Sequence, residues 1–258
     1  MTGQVLGIVP ARLGSTRLPR KPLHLLLGRP LIEWVWRRVA AMKVLDHAVV
    51  ATDSHEVVDV CHAIGAPVEL TSEDHVSGTD RVAEVAGRPG YTGYGLVVNI
   101  QGDEPLIEEE HVGSAIELVR SGNWQVGTCA TPVQAAGVLE DASMVKVARA
   151  DSGRALYFSR SRIPWTSEAT SPIQRTGSFT FLRHLGIYAY ERSALEQWAS
   201  LAPSRLEQIE SLEQLRPLEA DLRIGVAIVE GAHGGVDTLL DAARVEQQLS
   251  HLTHSTLV

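Results

Sequence analysis

Four cations fall within ten residues of one segment: Arg12, Arg17, Arg20 and Lys21 in Pro10–Lys21, which reads PARLGSTRLPRK. The segment follows directly on the apolar run Val5–Val9. Gly14 supplies backbone freedom, and Ser15, Thr16 and main-chain N–H groups can donate to oxyanions. Arginine makes planar, forked contacts with phosphate oxygens, and lysine acts as a point charge. A polyphosphate suits this grouping. A solvated basic loop is the plainer alternative, and the glycine together with the position after a strand weighs against it. Neither GxxxxGK[ST] nor GxGxxG is present, so a P-loop enzyme and a dinucleotide dehydrogenase both lack their main signature.

Two further segments carry carboxylates where chemistry is expected. Gln101-Gly102-Asp103-Glu104-Pro105 follows the run LVVNI. A carboxylate at a strand end, facing a phosphate loop, suits Mg²⁺, which takes one or two carboxylates plus substrate phosphates. A turn or helix cap at Asp103 is an equal alternative. Gly234-Gly235-Val236-Asp237-Thr238 follows the last apolar run, so Asp237 suits a second carboxylate ligand and, as the stronger plain reading, the N-cap of the final helix, two compatible roles. Glu207, Glu210 and Glu213 recur every third residue, the spacing of a solvated helical face. The histidines show no HExxH or HxH, and GxSxG is absent, so a zinc hydrolase and a serine nucleophile find no support.

The elements that must position these residues alternate in type. Val5–Val9, Ala48–Ala51, Val68–Leu70 and Leu96–Ile100 read as buried strands. Between them, helices are expected from Pro30 to Met42, near Glu56–Ile64 with Gly65 as the C-terminal cap, and near Asp80–Ala86. Strands separated by helices call for right-handed βαβ units and a mostly parallel sheet, whose ligands bind beyond the carboxyl ends of the strands. The later sequence breaks that rhythm. Val145–Ala150 and Arg154–Ser159 flank the turn Asp151-Ser152-Gly153, Ser167–Ser178 reads as a polar loop, and His184–Tyr190 reads as a strand. A helix is expected over Leu206–Glu219, shortened by Pro217, then a strand at Ile224–Val229 and a helix through Asp241–Leu249. Trp34, Trp36 and Trp198 are expected on helices, in or near the core. The pattern predicts one α/β domain over 1–258, with an inserted antiparallel portion near residues 130–205.

Composition narrows the class. The 258 residues are 44% hydrophobic and 21% charged, as in soluble globular proteins. A formal charge of -8 opposes general nucleic-acid or anionic-membrane binding. Cys61 and Cys129 form no CxxC, so neither a disulfide framework nor a zinc site is expected. Met1–Gly7 lacks signal-peptide character, and the apolar run Leu23–Leu27 is far below the roughly 20 residues of a spanning helix. A soluble, cytoplasmic setting is the expectation.

Read together, IVPARLGSTRLPRKPL at 8–23, ATDS at 51–54, SGTDR at 77–81, VNIQGDEPLI at 98–107, VKV at 145–147, ALYFSRSRIPW at 155–165, RHLGIYAY at 183–190, LEQIESLEQLR at 206–216 and GVDT at 235–238 resemble the 3-deoxy-manno-octulosonate (Kdo) cytidylyltransferase family. The segments run in order over nearly the whole chain. The resemblance implies a Rossmann-like nucleotidyltransferase sheet with an inserted antiparallel dimerisation portion, and a homodimer. It implies Mg²⁺-assisted attack of a sugar acid's anomeric hydroxyl on the α-phosphate of CTP, giving the CMP-sugar and pyrophosphate. By position, Arg12 and Lys21 would hold the triphosphate, with Ala11, Ser15, Ser77 and Gly78 near the nucleotide. Asp103 and Asp237 would bind Mg²⁺, with Arg12, Lys21 and Asp103 the catalytic group. Arg81, Gln101, Arg160, His184, Tyr188 and Glu213 would line the acid side, with Arg160 as a carboxylate fork.

The chain departs from the family pattern in places. Arg20 stands where many members have glycine, and Val138–Ser143 lacks the asparagine-proline pattern often found before VKV. The basic residues are 20 Arg to 3 Lys. That bias keeps open an acceptor other than Kdo, such as phosphonoformate. His184 and Tyr188, neutral groups suited to a polyhydroxylated acid, favour Kdo.

Overall fold

A computed structural model describes residues 3–15, 17–75, 77–133, 136–165, 181–231 and 234–255. The chain divides into two compact units, residues 3–110 with 234–255 and residues 111–231.

The first unit is built on a parallel sheet. Strand β1 (Val5–Ala11) is followed by a 3-10 turn at Lys21–Leu23, a small hairpin of β2 (Leu25–Leu26) and β3 (Arg29–Pro30), and helix α1 (Leu31–Val39). Then come β4 (His47–Thr52), α2 (His55–Ala63), β5 (Val68–Leu70), α3 (Gly78–Ala86) and β6 (Leu96–Asn99). The sheet order is β6-β1-β4-β5, all parallel, with Ile8 opposite both Val49 and Asn99. Val5, Leu6, Ile8 and Val9 are fully buried, as a strand covered on both faces requires. Helix α1 begins after Pro30, whose ψ of 143° keeps it in the strand, and buries Leu31, Ile32, Val35, Trp36 and Val39. Helix α2 ends as expected at Gly65. With φ at +71°, its N–H donates to His62 O and that of Ala66 to Cys61 O, a Schellman arrangement.

The second unit opens with α4 (Glu109–Arg120), β7 (Val126–Pro132), α5 (Ala136–Glu140), β8 (Lys146–Arg149) and β9 (Ala155–Ser159). It continues with β10 (Leu182–Glu191), α6 (Arg192–Ser200), α7 (Arg205–Glu210), α8 (Leu215–Glu219) and β11 (Ile224–Ile228). β10 lies antiparallel to β7 and to β8, β8 antiparallel to β9, and β11 parallel to β7. These antiparallel pairings fall within the 130–205 neighbourhood read from the sequence, extended to Val126 by β7. The last helix of the chain, α9 (Leu239–Ser255), belongs to the first unit.

One expectation needs correction. The helix expected over Leu206–Glu219 is two helices, α7 and α8. The break is Ser211, left-handed at φ 54°, and not Pro217, which lies in the first turn of α8 where its missing N–H is tolerated. The loop expected at Ser167–Ser178 lies outside the described residues.

Candidate active site

In the first unit, the cationic segment leaves β1 at Ala11, which is 3% exposed. Arg12 is exposed, and Ser15, half-buried, accepts a hydrogen bond from Leu18 N–H at 3.4 Å. Leu18 anchors the segment in an apolar cluster with Leu26, Leu31, Leu106, Val236, Val245 and Leu249. Lys21 therefore emerges from a fixed base. Its Nζ donates to Asp103 Oδ2 and to Asp237 Oδ1, both at 2.7 Å, and Arg17 lies 3.1 Å from Asp237. Burial alone would lower the Lys21 pKa, but Asp103 and Asp237 outweigh it, and the ammonium ends above the ordinary lysine range. That sign keeps Lys21 charged throughout the neutral range, and its contribution is lost only as pH rises through the raised value.

Backbone geometry brings the two carboxylates to one place. A Cβ at Gly102 would lie 2.5 Å from Pro10 O, so only glycine lets the segment after β6 pass this close to β1. Val236 N–H donates to Asp103 O at 2.9 Å, which ties the 234–238 segment to the 101–105 segment. The alternative in which Asp237 caps the final helix is excluded. Thr238 Oγ1 accepts from Asp241 N–H at 3.2 Å, and Asp241 Oδ2 accepts from Thr238 N–H at 3.0 Å. This reciprocal box closes the helix start and leaves the Asp237 carboxylate to Lys21 and Arg17.

Ser77 is the N-cap of α3, its Oγ accepting from Asp80 N–H at 3.1 Å, and Gly78 is the first helical residue. Gln101 is half-buried just beyond β6. Arg81, placed by resemblance on the acid side, is 2% exposed, and its guanidinium contacts Asp53, Thr71 and Ser72 within the first unit.

The remaining acid-side residues belong to the second unit. His184 Nε2 is 2.9 Å from Thr128 Oγ1, a hydroxyl that also contacts Ile187 O at 2.7 Å. The β10 bulge between Leu185 and Tyr188 sets this geometry. The Tyr188 hydroxyl is buried with no hydrogen-bond partner among the described residues. Its pKa is pushed well up by burial, with Tyr190 and Glu213 adding to the effect. Arg160 is no open fork. Its Nε donates to Glu210 O at 3.2 Å, Nη1 to Ala142 O at 3.0 Å and Nη2 to Ser211 O at 3.4 Å. The three glutamates are not a solvated face either. Glu207 pairs with buried Arg216 and completes the α7 capping box, and Glu210 accepts from Ser159 Oγ at 2.7 Å. Lys146, which sequence reasoning passed over, is fully buried, with Nζ donating to Asp141 O, Met144 O and Arg160 O. Its signal was available: one of three lysines, set within VKV.

Burial lowers the His184 imidazole to about 3. An unfolded histidine titrates near 6.5, so between these values the unfolded chain binds more protons and stability falls as pH falls. From pH 7 to pH 5 this costs about 2 kcal/mol. Urea unfolding at the two pH values should show wild type losing about that much more than His184→Gln. Equal losses would show that the ring is not held neutral.

A cytidylyltransferase family profile matches residues 6–227. The 3-deoxy-manno-octulosonate cytidylyltransferase of Gemmatimonas aurantiaca is 49% identical over 245 residues, covering 93% of this chain and 92% of that protein. The enzyme of the same name from Leptospira biflexa is 43% identical over 242 residues, covering 93% and 94%. A solved structure of CMP:2-keto-3-deoxy-manno-octonic acid synthetase complexed with CTP superposes with a TM-score of 0.86 at 35% identity, covering 96% of this chain and 99% of that one. Likeness of this degree over nearly the full length places the chain in the 3-deoxy-manno-octulosonate cytidylyltransferase family.

Proposed function

We propose that this protein transfers CMP from CTP to Kdo, giving CMP-Kdo and pyrophosphate. The observation that carries the reading is the Lys21 ammonium held between Asp103 and Asp237, at the base of an arginine-rich loop beyond the strand ends of the first unit. The anomeric oxygen of the sugar acid bonds to the α-phosphorus. The bond from that phosphorus to the bridging oxygen of the β-phosphate breaks, pyrophosphate leaves with the electron pair, and the hydroxyl proton goes to solvent. Arg12 and Lys21 offset the triphosphate's charge, Ala11, Ser15, Ser77 and Gly78 face the nucleotide, and the fixed strand ends hold the groups in position.

Asp103 and Asp237 fit Mg²⁺. Two carboxylates are the protein share of a typical Mg²⁺ site, the rest falling to phosphates and water, and among the described residues no cluster of three or more His, Cys, Asp or Glu offers a fuller cage. When bound, Mg²⁺ would neutralise phosphate charge and lower the pKa of the attacking hydroxyl. In the second unit we assign the acid to His184, Tyr188 and Glu213, with Arg160 acting through the 142 and 210–211 backbone that it holds.

The decisive experiment is pyrophosphate release from CTP with Kdo and phosphonoformate at equal concentration. The expected product is CMP-Kdo. Preferential transfer to phosphonoformate would replace the acceptor and keep the cytidylyl chemistry, and no release with any acid would remove the reading entirely. We also propose a homodimer through the second unit, where Leu156, Trp165 and Ile209 are exposed apolar side chains at 47%, 83% and 68%. Light scattering at micromolar concentration should return twice the chain mass, and the monomer mass would refute it. A reducing, cytoplasmic setting accords with Cys61 and Cys129, both buried and outside any disulfide.

A further inference from the structure

One buried ion pair in the first unit links the two segments that face the nucleotide in the proposed reading. Arg81 is 2% exposed and its partner Asp53, just beyond β4, has a side chain 16% exposed. Arg81 Nη2 donates to Asp53 Oδ2 at 2.7 Å, and Nη1 donates to Ser72 O at 3.2 Å and to Thr71 Oγ1. The second oxygen of Asp53, Oδ1, accepts from Leu13 N–H at 3.3 Å. A continuous chain of contacts therefore runs from Ser72 through Arg81 and Asp53 to Leu13.

Its two ends are informative. Leu13 follows Arg12 in the cationic segment. Ser72 begins the stretch that leads to Ser77 and Gly78, and Arg81 itself stands on the helix that Ser77 caps. The guanidinium thus holds the start of the 71–78 segment through Thr71 and Ser72, while Arg81 itself stands on the helix that begins at Gly78. At Gly78, a Cβ would lie 3.7 Å from Pro10 Cγ, so the two segments already approach to van der Waals distance. A surface ion pair would be too weak and too loosely held to fix such a register. A buried pair differs, because removing one partner strands the other charge away from water.

We infer that Asp53 and Arg81 are positioning residues that hold the 11–21 and 71–78 segments in register for CTP, without a part in holding the acid. The inference rests on the proposed reading of the first unit as the CTP side. It moves Arg81 from lining the acid to acting through the nucleotide segments. Displacement of a binding group by a fraction of an ångström lowers rate and affinity without any loss of direct contact. The expected effect therefore falls on one substrate.

The test is steady-state kinetics on Asp53→Asn, which keeps the size and the Oδ1 acceptor and removes the charge facing Arg81. The KM for CTP should rise about tenfold while the KM for Kdo stays within about twofold. An unchanged KM for CTP, or an equal rise for both substrates, would overturn the inference. If Asp53→Asn fails to fold, as judged by thermal unfolding, Thr71→Val decides in its place. That variant removes one acceptor of Arg81 and should raise the KM for CTP alone by about threefold, and no CTP-specific rise would overturn the inference. Wild-type protein that releases no pyrophosphate from CTP would remove the functional reading itself. An active wild type with an unaffected KM for CTP in the variants removes only the strut.

Discussion

Asp103→Asn should lower the rate of CMP transfer by on the order of a thousandfold, equivalent to about 4 kcal/mol of transition-state stabilisation. The residue sits where Gly102 allows the closest approach of two backbone segments, and its carboxylate faces Lys21 with a side chain 29% exposed. Asparagine keeps the shape and one acceptor oxygen but removes the charge that both the ammonium and a divalent cation need. Partial exposure limits the structural cost, so thermal stability should change little. Turnover is measured at saturating Mg²⁺ alongside a melting curve. Near wild-type turnover with an unchanged melt would remove Asp103 from the chemistry.

The second large effect is expected at Lys21, and its control lies one residue away. Lys21→Ala should lower kcat/KM for CTP about a hundredfold, roughly 3 kcal/mol, because it removes a positioned cation and leaves Asp103 and Asp237 facing each other. Arg20→Ala should cost less than about threefold. Arg20 points away to Glu56 in a pair whose side chains are 57% and 55% exposed, a contact that solvent screens. The backbone explains the glycine that many family members carry here: Arg20 has φ 57° and ψ 35°, a left-handed conformation that costs any residue with a Cβ. An equal or larger loss at Arg20 would mean that the segment is registered differently on the nucleotide.

The sequence resolves the parts of this molecule whose signals are local. VLGIV, AVVA and LVVN are continuous apolar runs and become buried parallel strands, and Gly65 marks the end of α2 through its own φ. The cationic segment and Asp103 follow the ends of β1 and β6, the position where open parallel sheets bind ligands. Signals that depend on tertiary partners were not legible. β7 carries Gly127, Thr128 and Cys129 in place of an apolar run, yet it lies between β10 and β11 and is buried. Gly127 serves there because a Cβ would meet Ala115 O at 2.2 Å, a constraint set by a helix that the strand cannot announce. The period-three glutamates looked solvated because i+3 spacing cannot reveal that Arg216 and Ser159 return to meet them. Motif resemblance likewise placed Arg81 and Arg160 by position and could not show that Arg81 pairs with Asp53 or that the Arg160 guanidinium is turned onto backbone carbonyls.

The reciprocal bonding of Thr238 and Asp241 next to Asp237 divides labour between neighbours. Because the helix start is closed by residues on the C-terminal side of Asp237, that carboxylate is not committed to holding α9 in place. Its reach and charge can therefore be varied, by mutation in the laboratory or by drift in a lineage, without fraying the helix that follows. Many site residues are hard to interrogate because they also support the scaffold; here the two duties are separable, one residue apart. Under the proposed reading, substitutions at 237 should report on chemistry and those at 238 and 241 on folding, and comparing the two sets would separate a broken enzyme from a broken protein.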